Sequence, residues 1–101
     1  MKKIIENNKN LTDFQKSVYK AVLTIPKGQT RSYKWVAQAI AKPAAYRAVG
    51  NALNKNPYIK KVPCHRVISS DGSLGGYQKG IKAKKALLKG ENHCFKKGKV
   101  V

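Results

Sequence analysis

Helix-breaking residues divide the first half of this chain into short segments. Pro26-Lys27-Gly28 interrupts the chain first, Pro43 follows, and Asn56-Pro57 comes last. Proline removes a backbone donor and glycine weakens a helix, so a helix is expected to end near each of these points. Apolar residues between them recur three or four positions apart, which is the period of an amphipathic helix. The first half is therefore predicted to be a set of short helices that pack on one another.

Three helices are predicted in this half, at residues 13–25, 33–41 and 43–53. Thr12 and Gln15 have the spacing of a capping box, and Ser32 suits the N-cap of the second helix. Pro43 suits the first turn of the third helix. The residues predicted to face the core are Phe14, Val18, Val22 and Ile25 in the first helix, and Trp35, Val36, Ala39 and Ile40 in the second.

The second half changes character. A short extended segment is predicted around Val62–Ile68, followed by a glycine-rich loop and a last helix at residues 80–89. Residues 1–11 are predicted to be a frayed polar leader, and residues 95–101 a loose basic tail. The chain as a whole, 1–101, is predicted to be one mainly α-helical domain with a short extended segment.

The charge of the chain predicts a polyanionic partner. Its 101 residues hold 22 Lys and Arg against 4 Asp and Glu, a formal net charge of +18. Such an excess favours nucleic acid, because binding releases counterions. An anionic membrane fits less well, since no basic amphipathic helix with a strong apolar face stands out. A lysine-rich host composition remains an alternative explanation.

Two short helices joined near Lys42 and Pro43 resemble a helix-turn-helix in such a basic chain, although a generic helical hairpin explains the same pattern. Neither a signal peptide nor a membrane span is predicted, so an intracellular protein is expected. In a prokaryote it would be cytoplasmic and associated with the nucleoid, and in a eukaryote nuclear.

Pro63-Cys64-His65-Arg66 is the most informative tetrapeptide. A thiol reacts as its thiolate, which a neighbouring base or positive charge favours. If the segment is extended, Cys64 and His65 point to opposite faces, and a bridging water or a turn must connect them. A buried structural cysteine is the alternative. A metal site built from Cys64-His65 and His93-Cys94 is disfavoured, because adjacent ligands rarely reach one tetrahedral ion, and no metal is predicted.

A longer set of motifs resembles the O6-alkylguanine-DNA alkyltransferases, also called methylated-DNA protein-cysteine methyltransferases. The resemblance covers residues 12–92. The segments that carry it are Ser32-Tyr33, Tyr46 to Leu53, Asn56-Pro57, Val62 to Ile68, Gly75-Gly76-Tyr77 and Ala86 to Glu91. It implies the C-terminal catalytic domain of that family, with a winged-helix-like, helix-turn-helix DNA-binding fold. The N-terminal domain that most members carry would be absent.

The implied activity is irreversible transfer of an alkyl group from O6-alkylguanine in duplex DNA to a cysteine, after base flipping and without an organic cofactor. By this resemblance Cys64 is the nucleophile and His65 its base through a water. Glu91 would orient the imidazole, and Asn56 would brace the segment. One protein molecule would be consumed per lesion, and a monomer is expected.

The resemblance also implies a DNA surface and a base pocket. Arg47 would fill the gap left by the flipped base, on a helix of small residues in the minor groove. The implied DNA contacts are Tyr33, Ala45, Arg47, Ala48, Leu53 and Arg66. The implied pocket residues are Tyr33, Val67, Gly76, Tyr77 and Gln78, and Lys84 lies where the family carries a lysine near the pocket.

Two other functions remain open at this point. Alkyltransferase-like proteins bind O6-alkylguanine without repairing it, but they lack the reactive cysteine that Cys64 supplies here. A helix-turn-helix transcriptional regulator would leave the Cys-His-Arg segment and the loop at Tyr77 without a purpose.

Overall fold

The computed structural model describes residues 1–58, 61–75, 77 and 80–93, and the strand pairing of residues 95–96 and 99–100. Gly76 and Gln78, two of the predicted pocket residues, lie outside this part of the chain, as does Cys94. The helices are α1 (Lys2–Asn7), α2 (Asp13–Val22), α3 (Tyr33–Ala39), α4 (Tyr46–Asn54) and α5 (Ile81–Gly90), with 3-10 turns at Pro43–Ala45 and Cys64–Arg66. The strands are β1 (Arg31–Ser32), β2 (Val67–Ile68), β3 (Phe95–Lys96) and β4 (Lys99–Val100).

The predicted caps of α2 and α3 are confirmed. The Thr12 hydroxyl accepts from the Gln15 N–H at 3.1 Å, and the Gln15 side chain accepts from the Thr12 N–H at 2.8 Å. The Ser32 hydroxyl accepts from the N–H of Trp35 at 2.9 Å. These bonds satisfy backbone donors that have no partner within the helix, so each helix start is fixed by local sequence.

Helices α2, α3 and α4 enclose the main core. The Tyr19 side chain is fully buried between α2 and α4, where its hydroxyl donates to the carbonyl of Ala52 at 2.6 Å. In α3 the structure buries Ala37 rather than the predicted Ala39, which is exposed. The helix is only seven residues long, and its core-facing side falls on Val36 and Ala37. The buried residues of this core are Ile5, Val18, Tyr19, Val22, Ile25, Val36, Ala37, Val49, Ala52, Leu53, Val62, Cys64 and Val67.

The predicted frayed leader is wrong for residues 2–7, which form α1. Ile5 is fully buried and belongs to the main core. Lys16 on α2 donates to the Glu6 carbonyl at 2.9 Å, and Lys20 pairs with the Glu6 carboxylate at 3.1 Å. So short a helix is unstable alone, and its packing on α2 holds it in place.

A short parallel pairing joins the two halves of the chain. Arg31 in β1 lies opposite Val67 in β2, and Ser32 lies opposite Ile68. Helices α3 and α4 lie in the connection between these strands, as a parallel pairing requires. The pairing holds the first residue of α3 next to the segment that carries Cys64.

The predicted extended segment is correct for β2 and wrong for Cys64–Arg66, which form a 3-10 turn. The Arg66 N–H donates to the carbonyl of Pro63 at 3.0 Å and closes this turn. Cys64 and His65 therefore do not alternate across a strand.

The C-terminal part contains the predicted last helix and a pair of strands. Helix α5 runs to Gly90, one residue past the predicted end. The predicted loose tail is instead paired, with Phe95 opposite Val100 and Lys96 opposite Lys99. Phe95 and Val100 are residue types that favour strands. Within the described residues, no helix combines the length and apolar character that crossing a membrane requires.

Candidate active site and DNA-facing surface

Cys64 is the buried thiol at the centre of the site. It lies at the start of the 3-10 turn and is 4% exposed. Burial raises the pKa of the Cys64 thiol, while a hydrogen bond from the Asn56 side chain and the charge of Lys84 oppose that rise. The thiol is therefore protonated at neutral pH and needs a base before it can react.

His65 is the imidazole next to Cys64 in the same 3-10 turn. Its Nε2 lies 3.0 Å from Glu91 Oε2, and a carboxylate only accepts hydrogen bonds, so Nε2 carries the proton. In the neutral ring Nδ1 then holds a free electron pair. This Nδ1 is buried and has no hydrogen-bond partner among the described residues. Burial lowers the pKa of His65, with Arg66 and Lys84 acting in the same direction against Glu91, so the ring is neutral at pH 7.

Glu91 is held by a two-pronged ion pair. Arg66 donates from Nε to Oε1 at 3.0 Å and from Nη2 to Oε2 at 2.8 Å. Arg66 first, and His65 second, lower the pKa of the Glu91 carboxyl to about 2 despite partial burial. The carboxylate is therefore ionised and oriented before it meets the imidazole.

This geometry reassigns Arg66, which the sequence had placed among the DNA contacts. The remaining guanidinium nitrogen, Nη1, donates to the carbonyl of Ile25 at 3.0 Å, and the Arg66 side chain is 16% exposed. The guanidinium is thus turned inward and tied to three oxygens. Arg66 thus orients Glu91 and does not face solvent.

Asn56 braces the loop before Cys64, at the position predicted for it. It is 1% exposed, and its side-chain amide donates to the carbonyl of Val62 at 3.2 Å. Its side-chain oxygen accepts from the N–H of Tyr58 at 2.8 Å. The Val62 N–H in turn donates to the Tyr58 carbonyl at 2.8 Å, so the loop is tied at both ends.

Lys84 is a fully buried ammonium on α5. It donates to the carbonyl of Val67 at 2.7 Å, to the carbonyl of Leu74, and to the Tyr33 hydroxyl at 3.5 Å. Burial lowers the pKa of Lys84 to about 8, and the nearby Cys64 charge limits that fall. Lys84 remains mostly protonated at pH 7, and its positive charge favours the thiolate form of Cys64.

Tyr33 and Tyr77 both lie near Cys64. Burial, and then the charge of Cys64, raise the pKa of both Tyr33 and Tyr77. The Tyr77 hydroxyl is buried near Cys64 but lies outside hydrogen-bonding geometry with every described atom. Gly75 has φ +68°, and a side chain there would collide with the Tyr33 ring. Glycine therefore permits the loop to lie directly against Tyr33.

Two open cavities meet at Tyr33 and Tyr46. One has a volume of about 290 Å³ and lies along α4. The other, about 390 Å³, lies beside the loop at residues 69–73. The first is lined by Tyr33, Tyr46, Arg47, Gly50, Asn51, Asn54 and Gly75. Tyr33 thus faces both the buried lysine and an open cavity on the outer surface.

The start of α4 forms an exposed face of small and basic residues. Arg47 and Ala48 are exposed, and Ala45 is half-buried just before them. The Tyr46 ring lies 6.0 Å from the Arg47 guanidinium and 5.6 Å from the Lys34 ammonium. Sequence reasoning gave Tyr46 no role, although its place beside Arg47 in a basic helix-turn-helix was a usable signal.

Two predicted site residues lie in the core instead. Leu53, predicted among the DNA contacts, is 6% exposed because it falls on the inner side of α4. Val67, predicted to line the base pocket, is fully buried, and it contributes its carbonyl to Lys84. No cluster of three or more potential metal ligands occurs within the part of the chain that the structure describes.

Comparison with known proteins places this site in a family. Residues 13–93 match the family model described as 6-O-methylguanine DNA methyltransferase, DNA binding domain. The chain belongs to this methyltransferase family. The matched range includes every residue of the Cys64 site and the exposed face of α4, and it leaves α1 outside.

Individual members of the methyltransferase family are similar over the same region. The chain is 58% identical over 82 residues to a methylated-DNA--protein-cysteine methyltransferase of Methanosarcina barkeri, covering 81% of this chain and 52% of that protein. A structure of Mycobacterium tuberculosis OGT in complex with DNA matches with a TM-score of 0.79 at 56% identity, covering 80% of this chain and 50% of that one. The chain thus spans about half the length of these relatives.

A different coverage is found for S. pombe Atl1 in complex with damaged DNA containing O6-carboxymethylguanine. That structure matches with a TM-score of 0.72 at 29% identity, covering 89% of this chain and 87% of that one. The mainly helical fold with its small sheet is therefore that of alkyltransferase DNA-binding domains.

Proposed function

We propose that this chain repairs duplex DNA by transferring the alkyl group of O6-alkylguanine to the sulfur of Cys64. The observation that carries this proposal is the row of hydrogen bonds Arg66–Glu91–His65 in the turn that bears Cys64, which leaves His65 Nδ1 without a partner among the described residues. A nucleophile, a base and a group that orients the base are the parts that an activated thiol needs. The similarity to methylated-DNA--protein-cysteine methyltransferases supports the same activity.

The proposed reaction begins with proton transfer from the Cys64 thiol to His65 Nδ1, directly or through a water. Glu91 stabilises the resulting imidazolium, and Lys84 stabilises the thiolate. The sulfur then attacks the alkyl carbon, forming the S–C bond as the C–O6 bond breaks. The electron pair of that bond stays on O6 of guanine, and the proton held by His65 returns to the guanine. The thioether is stable, so each molecule reacts once.

The proposed DNA surface is the exposed start of α4. Small side chains at Ala45 and Ala48 permit close approach to the minor groove, and Arg47 would fill the space of the extruded base. The extruded guanine would enter beside Tyr33, which lines the open cavity along α4 together with Arg47 and Gly75. Gly75 and Tyr77 would form the opposite wall.

We further propose that the chain is the C-terminal catalytic domain of the family, and that one domain carries both DNA binding and chemistry. The support is that the Cys64 site and the α4 face share one core. Its partner would be double-stranded DNA bearing O6-alkylguanine, bound by a monomer, and no cofactor enters the proposed reaction.

Paired cysteine variants test the assignment of the nucleophile. Cys64→Ala is expected to bind a duplex containing O6-methylguanine while the methylguanine content of the DNA stays constant. The matched variant Cys94→Ser is expected to remove the methyl group as the parent does. Loss of methylguanine with Cys64→Ala would mean that another group accepts the methyl.

Damage sensing without repair is the second candidate. The observation in its favour is that the chain matches 87% of the length of S. pombe Atl1, whose structure contains O6-carboxymethylguanine DNA. It predicts tight binding to the lesion by the parent protein with no change in Cys64. Chemical analysis of the DNA after binding separates the two functions.

A further inference from the structure

Helix α1 and the turn after it lie outside the region that matches the methyltransferase family, yet they contact the loop that carries Cys64. The family match begins at residue 13. Asn8, directly after α1, donates from its side-chain amide to the Tyr58 hydroxyl at 2.7 Å. This bond joins residues 50 positions apart in sequence. The N-terminal residues therefore touch the segment that begins the active-site loop.

The contact continues from Tyr58 to Cys64 through hydrogen bonds. The Tyr58 N–H donates to Asn56 Oδ1 at 2.8 Å, and Asn56 Nδ2 donates to the carbonyl of Val62 at 3.2 Å. The same Val62 carbonyl accepts from the Cys64 N–H at 2.7 Å, and the Asn56 side chain opposes the rise in the pKa of the Cys64 thiol. Hydrogen bonds through Tyr58, Asn56 and Val62 thus connect Asn8 to the proposed nucleophile.

The start of this row is itself held rigidly. Ile5 on α1 is fully buried in the same core as Cys64. The Asn8 N–H donates to the Ile5 carbonyl at 3.2 Å, and Asn8 Oδ1 accepts from the N–H of Asn10 at 2.9 Å. With its oxygen occupied, the Asn8 amide has its nitrogen directed at Tyr58. A freely rotating surface asparagine has no such fixed orientation.

We propose that α1 and Asn8 position the active-site loop, with Asn8 acting on Cys64 through Tyr58 and Asn56. This inference rests on the proposed function, because it assigns Cys64 the reaction that Asn8 supports. Asn8 is a positioning residue: it touches neither the thiol nor the DNA surface on α4. Removing its amide would leave the Tyr58 hydroxyl without that donor and would weaken the hydrogen bonds by which Asn56 and the Val62 carbonyl hold Cys64.

A DNA-independent assay tests the positioning directly. The rate at which iodoacetamide alkylates Cys64 is measured against pH in a Cys94→Ser background. Asn8→Ala is expected to slow alkylation at pH 8 about threefold to tenfold, as the loss of one hydrogen bond predicts, and to move the pH profile upward. If Asn8 only kept the loop folded, Asn8→Ala would instead speed alkylation, because an unfolded loop exposes the buried thiol.

Two further variants make the test specific. Asn7→Ala removes an exposed asparagine one residue earlier and is expected to match the parent. Tyr58→Phe is expected to reproduce the effect of Asn8→Ala, and the double variant to be no slower than the slower single variant, since both remove the same bond. Multiplying effects, or equal behaviour of Asn8→Ala and Asn7→Ala, would overturn the inference.

The methyl-transfer rate then links the inference to repair. Asn8→Ala is expected to lower the single-turnover rate by the same factor while the affinity for the lesion duplex stays constant. If iodoacetamide alkylates Cys64 of the parent protein as expected but the protein removes no methyl group from DNA, the proposed function fails and the positioning of Cys64 stands. If the parent repairs DNA and Asn8→Ala repairs it equally fast, the inference fails alone.

Discussion

Replacing Glu91 by glutamine removes the charge that orients His65 while keeping the shape of the side chain. In the parent, the carboxylate can only accept from His65 Nε2, and this leaves the electron pair on Nδ1. A glutamine amide also offers a donor. If that donor faces Nε2, the ring must carry its proton on Nδ1, where it can no longer take one from Cys64. We expect Glu91→Gln to bind the lesion duplex and to lose most of its transfer rate.

The expected loss of rate follows from the role of the base. A positioned general base contributes about 10²–10⁴-fold to a reaction rate. Because His65 remains present but holds the wrong tautomer, we expect the single-turnover rate of Glu91→Gln to fall at least about 100-fold. The Cys64 thiol also loses a stabilised imidazolium partner, so its alkylation by iodoacetamide should slow as well.

The same substitution has a calculable effect on stability. The pKa of the Glu91 carboxyl falls from 4.5 to about 2 in the folded protein, which corresponds to about 3 kcal/mol. The side chain is 10% exposed, and glutamine keeps one hydrogen bond to Arg66, so we expect Glu91→Gln to lose about 2 kcal/mol at pH 7. A depressed pKa stabilises above the unfolded value, so the difference from the parent should vanish as pH falls from 4.5 to 2.

Single-turnover repair and urea unfolding, each at several pH values, measure both effects. Glu6→Gln is the matched control, because Glu6 forms a salt bridge with Lys20 at the surface, with a side chain that is 55% exposed. We expect it to change neither rate nor stability by a measurable amount. A Glu91→Gln protein that repairs at the parental rate would refute the orientation of His65 by Glu91.

Three further predictions concern the rest of the site. Gly75→Ala should lower the free energy of unfolding by about 1–2 kcal/mol in urea titration, because Gly75 has a positive φ and a side chain there would collide with Tyr33. Gly90→Ala is the control: a side chain there meets open space, so the free energy of unfolding should rise by about 0.5–1 kcal/mol. Lys84→Met should raise the pKa of the Cys64 thiol, because a nearby positive charge is lost. The rise is measured as an upward shift in the pH profile of iodoacetamide alkylation, and an unshifted profile would show that Lys84 does not stabilise the thiolate. Arg47→Ala should slow transfer from duplex DNA more than about tenfold and leave transfer from the free base O6-methylguanine unchanged, because only the duplex requires base extrusion. Equal slowing of both substrates would contradict the assigned role of Arg47.

Local sequence predicted the helices that begin with their own caps. Thr12 with Gln15, and Ser32, each bond within three residues, so their geometry depends on neighbours in the sequence. Helix α1 could not be predicted in the same way. Its six residues depend on Ile5 entering a core that α2 and later segments provide. No local pattern distinguishes that isoleucine from the exposed Ile4 beside it.

The site was predictable as a set of residues but not as a set of contacts. Family resemblance brought Cys64, His65 and Glu91 together as expectations, and the structure brings His65 and Glu91 within 3.0 Å. Arg66 was placed among the DNA contacts by the family resemblance. Its actual partner lies 25 residues away in sequence, and only the packing of α5 on the 3-10 turn brings them together. The turn itself removed the predicted alternation of Cys64 and His65.

Two other predicted site residues are buried in the structure. Leu53 and Val67 occupy positions that the family resemblance linked to DNA or base, but both are needed in a small core. The helical period places Leu53 on the same inner side of α4 as Val49. Arg47 and Ala48, by contrast, remain exposed as the resemblance implied.

The most direct test of the proposed reaction is the mass of the parent protein after mixing with a duplex that contains one O6-methylguanine. We expect the addition of a single methyl group, located on the peptide with Cys64 and equal in amount to the methylguanine lost from the DNA. A protein that binds the duplex and keeps its original mass, with the lesion intact, would contradict alkyl transfer and support damage sensing.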